Sequence, residues 1–309
     1  MKLILDTCLA CGSPNIKEYL HTEAMMHTGN TQHKFDRCED CKLVILNPRV
    51  APDELGEYYK SYYLPYRGDK AWGKYADMVA KDQSKIDDAR LATLEKYTTI
   101  TQHTQVIDIG CGKPTFLNNV FQKHKSQCRG TDFSDNGWKT DIAAYNQLDL
   151  HHGLPSELPV KEYADIITMW HYLEHDYHPT ETLQDILKHC KSDTKIIIEV
   201  PDHDGDSRIK YGKHWSGYHT PRHIGLYTIN NMKMLLDRSG WNTIDSYRYG
   251  TLDPYTLVWM SKMEQQNIDW SKSMEGRFWG YVAGMAAYLP KRLNRSGRGF
   301  MTIVAEPKK

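Results

Sequence analysis

The sequence lacks an excess of charge of either sign, a long apolar run and an apolar leader. Its 309 residues include 39 Lys plus Arg and 39 Asp plus Glu, so the formal net charge is zero. That balance gives no general attraction to nucleic acid, although it is compatible with a local basic patch. No run reaches the roughly 18 apolar residues of a membrane-spanning helix, and the first residues do not resemble a secretory signal. We therefore expect a cytoplasmic protein.

The composition is that of an ordinary globular protein, with 40% hydrophobic and 25% charged residues. A chain of this length holds one large domain plus a small module.

The cysteines are unevenly placed, with four of the seven in the first 41 residues. Two C-x-x-C pairs, Cys8 with Cys11 and Cys38 with Cys41, are separated by 26 residues. Four thiolates at this spacing can surround one tetrahedral zinc ion, and four protein ligands leave no open position for catalysis. Two disulfides or two redox pairs are the alternatives, and a reducing compartment disfavours the disulfides. The spacing therefore favours a structural zinc ribbon, which could also present a substrate.

The next segment contains a short strand and many aromatic residues. Residues 43–46 predict a strand that ends at Asn47-Pro48, and the tyrosines of 58–66 have a helical spacing that favours packing over ligand contacts. From Trp72 to Tyr97 the pattern predicts a helix. Its predicted buried positions are Met78, Ile86, Leu91 and Leu94.

A glycine-spaced turn follows the first strongly apolar strand. Residues 105–109 predict that strand, and Asp108-Ile-Gly110-Cys111-Gly112 lead toward a helix that begins near Thr115. Glycine lets the backbone of such a turn approach a ligand closely. A second predicted strand ends at Asp132, which lies 24 positions after Asp108, close to the spacing at which a strand-end carboxylate meets a ribose. The pattern indicates a nucleotide-type cofactor site.

Further strands alternate with helical stretches. Residues 146–152 predict a short third strand, 164–170 a fourth and 195–201 a fifth, and residues 180–191 predict a helix. The continuous apolar runs indicate strands buried on both faces. The alternation predicts a doubly wound α/β domain.

These residues resemble a class I S-adenosylmethionine-dependent methyltransferase of the bacterial small-molecule type that carries an N-terminal zinc ribbon. The resemblance covers nearly the whole chain and is carried by the motifs Asp108–Gly112, Thr131–Ser134, Met169–His175, Trp215–His223 and Gly297–Pro307. It implies a Rossmann-like, mostly parallel sheet with an antiparallel last strand, plus the small ribbon. Pro114 stands where the family usually has a third glycine, and proline removes a backbone N–H from the turn.

The resemblance also implies roles for individual residues. It assigns the methionine end of S-adenosylmethionine to Asp108, Gly110, Cys111 and Gly112, and the ribose hydroxyls to Asp132. Phe133 and Leu154 would contact the adenine, and Met169 and His171 would lie near the sulfonium.

Histidines are the candidate bases, because their pKa suits proton transfer near neutrality. His223 is the first candidate for base or substrate contact, followed by His171 and His219, while Arg222 could orient an anionic substrate group. Residues 171–175 also match the H-x-x-E-H pattern of inverted zinc proteases, but they directly follow a predicted strand instead of lying on a helix.

Residues 278–289 are apolar, and Arg277, Lys291, Arg292, Arg295 and Arg298 flank them. This segment is too short to span a bilayer. It is compatible with a helix that covers the sheet, with a subunit contact, or with a peripheral membrane or lipid-like substrate contact through residues 278–298.

We thus predict a zinc ribbon over 1–50, a helical linker or lid over 51–100 and a methyltransferase domain over 101–309, with an insertion at about 253–296. The predicted function is methyl transfer from S-adenosylmethionine to a small biosynthetic molecule, with the acceptor atom (O, C or N), substrate and oligomeric state open. An RNA methyltransferase and a non-catalytic cofactor-binding or scaffold protein are the alternatives, and the zero net charge disfavours a nucleic-acid partner.

Overall fold

The structure is a computed structural model, and it describes residues 3–27, 29, 31–60, 62–293 and 298–309. Residues 294–297, which include part of the predicted 253–296 insertion and of the proposed 278–298 contact segment, lie outside the described residues. The chain forms two compact units, each assembled from non-contiguous stretches. The first unit comprises residues 1–83, 201–231 and 248–301, and the second comprises 84–200, 232–247 and 302–309.

Eleven strands occur in the described residues. In chain order they are β1 (Ile16–Glu23), β2 (Gln32–Cys38), β3 (Val44–Leu46), β4 (Gln105–Ile109), β5 (Gln127–Asp132), β6 (Asp149–His152), β7 (Ala164–Trp170), β8 (Cys190–Pro201), β9 (Gly225–Leu226), β10 (Trp241–Tyr247) and β11 (Phe300–Pro307).

Nine α-helices lie between these strands in the described part of the chain. They are α1 (Pro52–Leu55), α2 (Leu64–Arg67), α3 (Ala76–Leu94), α4 (Thr115–His124), α5 (Pro179–Asp185), α6 (Asp206–Tyr211), α7 (Ile229–Arg238), α8 (Tyr255–Gln265) and α9 (Phe278–Leu293). Across the described ranges, no helix combines the length and apolar character that crossing a bilayer requires.

The second unit is built on a seven-stranded sheet of order β10-β11-β8-β7-β4-β5-β6. The pairs β4–β5, β4–β7, β5–β6 and β7–β8 are parallel, whereas β10 and β11 are antiparallel. This mostly parallel sheet with an antiparallel last strand confirms the predicted Rossmann-like α/β fold.

The apolar runs of the sequence explain why the central strands are central. Ile107, Ile167 and Ile197 lie on three neighbouring strands and are 0–1% exposed. Burial of such side chains contributes on the order of 2 kcal/mol each, which holds the strands in the middle of the sheet. The carboxyl ends of β4, β5 and β7 therefore meet at one edge, where ligands of open α/β sheets bind.

The first unit contains a four-stranded sheet of order β1-β2-β3-β9 and an aromatic core. That core includes Tyr62, Trp72, Trp259, Trp270 and Phe278, all less than 9% exposed. Most of the ring pairs meet edge-on or tilted, which is the favoured geometry for aromatic packing.

The predicted helix over 72–97 is too long at both ends, since α3 spans Ala76–Leu94, and two of its four predicted buried positions are not buried. The helix α3 begins only at Ala76, because Gly73 has a φ of 56° and interrupts the helical backbone before it. Met78 is 52% exposed and Ile86 is half-buried although their spacing predicted burial, whereas Leu91 and Leu94 are buried as predicted. In the first turn of α3 it is Val79, not Met78, that packs against the aromatic core of the first unit.

Candidate active site

The glycine turn after β4 adopts a backbone that only glycine takes readily. Gly110 and Gly112 have φ values of 74° and 50°. The N–H groups of Gly110 and Cys111 donate to the Thr131 carbonyl, at 2.8 and 3.1 Å, so the turn is tied to the end of β5. A Cβ on Gly110 would lie 2.4 Å from Cδ2 of Tyr172, whereas a Cβ on Gly112 would meet nothing within 4 Å. The turn is therefore packed on one side and open at Gly112.

The carboxylate of Asp132 stands at the end of β5 beside this opening. Its Oδ2 accepts the N–H of Gly112 at 3.0 Å, and its Oδ1 accepts the N–H of Ser134 at 2.9 Å. Burial raises the pKa of Asp132, and these two backbone donors act in the opposite direction. Each oxygen keeps a second lone pair, so the fixed carboxylate can accept two hydroxyl donors.

Asp108 is oriented into the sheet. Its side chain is buried, and the Thr168 hydroxyl donates to its Oδ1 at 2.6 Å. Burial raises the pKa of Asp108 to about 7, partly offset by the Thr168 hydrogen bond. This carboxyl thus cross-links β4 to β7 beneath the glycine turn.

Pro114 takes a position where a missing N–H has no cost. It is the N-cap residue of α4, and its carbonyl accepts the N–H of Asn118 at 3.0 Å. The first N–H groups of a helix have no partner within the helix, so a proline is tolerated there.

Two apolar side chains are exposed beside Asp132. Phe133 is 59% and Leu154 53% exposed. The chain is fixed around them, because Gly153 donates its N–H to the Asp132 carbonyl at 2.9 Å and Glu157 accepts the N–H of Leu154 at 2.7 Å. Large exposed apolar groups on a braced backbone suit contact with a flat, apolar ligand face.

His171 lies between two buried carboxylates at the end of β7. Its Nε2 is 3.1 Å from Oε1 of Glu199, and its Nδ1 is 3.6 Å from Oε1 of Glu174. Burial lowers the pKa of His171, but the two carboxylates outweigh it and raise the pKa to about 9. At neutral pH the ring is therefore an imidazolium. Its backbone has a φ of 57°, in the left-handed region that few residues with a Cβ adopt.

Cys111 and Met169 are buried, at 8% and 0% exposure. The Cys111 thiol has its pKa raised well above the usual value by burial. The structure thus places Cys111 and Met169 in the packing around the turn and the sheet, and brings Asp132, Gly112 and Gly110 together. The roles assigned to all these residues stay predictions.

The other two predicted histidines lie in the first unit and contact each other. The rings of His219 and His223 stack with centroids 4.8 Å apart. Nδ1 of His223 is 2.8 Å from the Gly217 carbonyl, and Nε2 of His219 is 3.1 Å from the Tyr63 hydroxyl. Since a carbonyl only accepts, Nδ1 of His223 carries a hydrogen and donates it to Gly217.

Arg222 is fully buried beside these histidines. Its guanidinium donates to the carbonyls of Met25, Met26 and Tyr58, with distances of 2.9 and 3.2 Å to the first two. The guanidinium also stands 4.3 Å from the ring centroid of Tyr63. These contacts join the chain after β1 to the tyrosine-rich segment, so the structure shows Arg222 as a structural clamp.

The four N-terminal cysteines converge at one point of the first unit. Their sulfur atoms all lie within 4.8 Å of one another, and the pairs Cys8–Cys41 and Cys11–Cys38 are 3.4 and 3.5 Å apart. A tetrahedral site with Zn–S bonds of about 2.3 Å requires sulfur separations of about 3.8 Å. None of the four forms a disulfide. The observed sulfur separations are therefore close to those of a tetrahedral zinc site.

Sequence reasoning missed four residues that build this site. Thr168 forms a hydrogen bond with Asp108, and Glu199 forms an ion pair with His171. The ring of Tyr172 lies against Gly110. Gly137 lies against the glycine turn, since a Cβ there would be 2.2 Å from the Gly112 carbonyl oxygen. The signal for Glu199 was available, because it is a single acid within the apolar run 196–200.

Comparison with known proteins identifies methyltransferases, both by sequence and by fold. A sequence model described as a methyltransferase domain matches residues 78–246, more than half of the chain. The fold is similar to phosphoethanolamine N-methyltransferase 2 of Haemonchus contortus, solved with S-adenosyl-L-methionine, with a TM-score of 0.53, 15% identity and coverage of 92% of this chain and 70% of that one. It is also similar to 1,6-didemethyltoxoflavin-N1-methyltransferase of Burkholderia thailandensis, solved with 1,6-didemethyltoxoflavin and S-adenosylhomocysteine, with a TM-score of 0.50, 15% identity and coverage of 88% and 98%. No curated protein shows a significant sequence match.

Proposed function

The protein belongs to the methyltransferase-domain family and is an S-adenosylmethionine-dependent methyltransferase, and from this premise we propose that its methyl acceptor is a small molecule of a biosynthetic pathway. The zero net charge supports a small acceptor over RNA, because phosphate binding requires a basic surface. The similar Burkholderia enzyme was solved with a small organic molecule, and the acceptor proposed here is of comparable size.

The observation that carries the cofactor assignment is the fixed Asp132 carboxylate beside the open position at Gly112. In our proposal Asp132 accepts the two ribose hydroxyls, and Phe133 and Leu154 cover the adenine. The backbone of Gly110–Gly112, with Cys111, holds the methionine end. S-adenosylmethionine supplies a methyl group on a positively charged sulfur. The residues of the chain orient that sulfur toward the acceptor, and alignment of this kind provides much of the rate.

We propose that the cationic His171 positions the site and that His223 is the proton acceptor when the acceptor group is acidic. An imidazolium with a pKa of about 9 carries its proton at neutral pH, which favours a positioning role for His171. The hydrogen bond between Nδ1 of His223 and the Gly217 carbonyl orients that ring and leaves Nε2 as the basic atom. His219 packs on the ring of His223 and would hold its orientation.

We also propose that Cys8, Cys11, Cys38 and Cys41 bind a structural zinc ion. The thiol set matches the ligand preference of zinc, and the sulfur separations support tetrahedral binding. The cysteines join the loop before β1 to the turn between β2 and β3, so the ion would tie the ends of this small sheet together. A site closed by four ligands stabilises the fold and leaves no position for substrate.

The acceptor class is tested by transfer of a labelled methyl group. Purified protein and methyl-labelled S-adenosylmethionine are incubated in parallel with a desalted small-molecule extract and with total RNA. We expect label in a low-molecular-weight product, and much less label from Asp132→Asn when S-adenosylmethionine is limiting. Label in RNA that increases at low salt would contradict the small-molecule proposal without affecting the methyltransferase assignment.

A further inference from the structure

The helix α9 presents an apolar face to solvent along its whole length. Trp279 and Leu293 at its ends are 61% and 72% exposed, and Ala283, Ala286 and Pro290 are exposed between them. Successive spacings of four, three, four and three residues place these five side chains on one side of the helix. A solvated helix normally carries polar residues on that side.

The opposite side of α9 already has its partners in the first unit. Phe278 is 4% exposed and packs with Trp72 and the neighbouring aromatic residues. The Trp279 ring is held in its outward position by a hydrogen bond from its Nε1 to the Tyr75 hydroxyl, at 2.8 Å. The outward apolar face is therefore a second surface of a helix that is already anchored.

A groove of about 250 Å³ runs along one flank of α9. It is lined by Asp206, Ser207, Lys210, Tyr255, Val258, Gly284, Ala287, Tyr288 and Lys291. Gly284 is required here, because a Cβ would lie 1.7 Å from the Tyr255 hydroxyl oxygen. The groove thus has an aromatic and apolar lining and two lysines.

The charges around this surface are complementary to an anion. The helix contains no acidic residue, and its charged residues are Lys291 and Arg292 in the last turn. Arg292 pairs with Asp253, while Lys291 stands 5.6 Å from the ring centroid of Tyr288 inside the groove lining. Lys210 enters the same lining from α6, and Asp206 is the one carboxylate among the described lining residues.

We propose that α9 docks on the surface of an anionic phospholipid bilayer. Trp279 and Leu293 enter the boundary between headgroups and acyl chains, and Lys210 and Lys291 contact lipid phosphates. An apolar face with a tryptophan at one end and lysines on its flank is the pattern of helices that lie in a membrane interface. Sixteen residues span about 24 Å, which suits a helix lying flat on the surface.

The test is co-sedimentation of the full chain with vesicles of phosphatidylcholine alone and of phosphatidylcholine with 30% phosphatidylglycerol. We expect binding that requires phosphatidylglycerol and weakens as salt is added. The double variant Trp279→Ser/Leu293→Ser should bind anionic vesicles roughly tenfold or more weakly, since it removes the two most exposed large apolar side chains of the helix. The double variant Lys210→Gln/Lys291→Gln should lose a similar factor on anionic vesicles, at about 1 kcal/mol per lysine.

The matched control is Ile142→Ser/Val160→Ser, which removes two side chains of similar exposure from the second unit, 65% and 52%. This control should bind vesicles like the wild type. All four altered apolar positions are exposed, so unchanged thermal unfolding shows that each variant is folded. Failure of the wild type to bind either vesicle, or equal binding by all variants, overturns the proposal. Self-association that is abolished by the Trp279/Leu293 variant would also overturn it, because a second copy would then occupy the face.

Discussion

Nε2 of His171 lies 3.1 Å from Oε1 of Glu199, and both side chains are at the carboxyl ends of adjacent parallel strands, β7 and β8. Glu199 is fully buried, so its carboxylate would be costly without a cation beside it. The Glu199 carboxylate helps to raise the pKa of the His171 ring, and the pair lies at the sheet edge where we propose the cofactor site. The backbone of His171, with its φ of 57°, is held to the same residue, since its N–H donates to the Glu199 carbonyl at 2.8 Å.

The first prediction concerns the pH dependence of stability at this pair. The pKa of His171 is about 9 in the folded protein and 6.5 without these contacts, so its stabilising contribution is complete below about 6.5 and disappears as the pH rises through about 9. Replacement of His171 by asparagine should lower the free energy of unfolding by on the order of 1–3 kcal/mol at pH 6 and by much less at pH 10. Urea unfolding at the two pH values measures the difference.

The matched variant Glu199→Gln removes the charge of the partner with little change in shape. In this variant the His171 pKa should fall, as followed by the NMR shift of the ring C–H in a pH titration. A pKa that is unchanged in Glu199→Gln would show that the carboxylate does not hold the imidazolium.

The second prediction compares glycines of the turn. Gly110→Ala combines a φ of 74° with a Cβ placed 2.4 Å from the Tyr172 ring, so it should destabilise the protein by about 2–4 kcal/mol. Gly112→Ala introduces only the backbone strain, so it should lower the free energy of unfolding by about 1 kcal/mol. Gly276→Ala is the control, since it has open space and no positive φ. In denaturant unfolding, Gly110→Ala should lose the most stability, Gly112→Ala less and Gly276→Ala the least. Equal losses of unfolding free energy in Gly110→Ala and Gly112→Ala would show that Tyr172 does not constrain the turn.

The third prediction concerns zinc. Metal analysis of the purified wild type should find about one zinc ion per chain, and Cys38→Ser should lose it together with thermal stability. Cys190→Ser, which alters a half-buried thiol outside the cluster, should keep the metal. Equal zinc contents in the wild type and Cys38→Ser would eliminate the four-cysteine site.

The fourth prediction concerns the buried Arg222. Lysine cannot reproduce a planar guanidinium that donates to three carbonyls, so Arg222→Lys should reduce the free energy of unfolding by about 2–4 kcal/mol. Arg238→Lys on the surface of α7 should change it by less than about 0.5 kcal/mol. A loss of methyl transfer in Arg222→Lys without loss of stability would instead support the substrate-orienting role that its sequence context suggested.

The strands of the second unit were predictable because their signal is local. Residues 105–109 and 164–170 read as buried strands in the sequence and form β4 and β7 with the same bounds. The predicted helix over 180–191 is shorter, since α5 ends at Asp185 and β8 already begins at Cys190. The point where a helix ends and a strand begins depends on which strand the segment pairs with, and that pairing cannot be predicted from the neighbouring residues.

The candidate site was predictable where glycine or a strand-end acid marks it, as at Gly110 and Asp132. The partners of those residues come from distant segments, and spacing does not reveal them. Thr168 reaches Asp108 across 60 positions, and Arg222 reaches Met25 across 197. The contacts of His171 with two carboxylates favour a cation over a base, and those of Arg222 with three carbonyls favour a structural role, while both sequence-based roles stay predictions.

The central claim is most directly tested by calorimetric titration of S-adenosylmethionine into the wild type, Asp132→Asn and the neighbouring control Asp135→Asn. Asparagine at position 132 sets an amide donor against the N–H of Gly112 or of Ser134 and removes the charge that the ribose hydroxyls would meet. We predict saturable one-to-one binding for the wild type and the control, and an affinity between about tenfold and a hundredfold lower for Asp132→Asn. Absence of binding to the wild type, or equal affinity in all three proteins, would contradict the cofactor site described here.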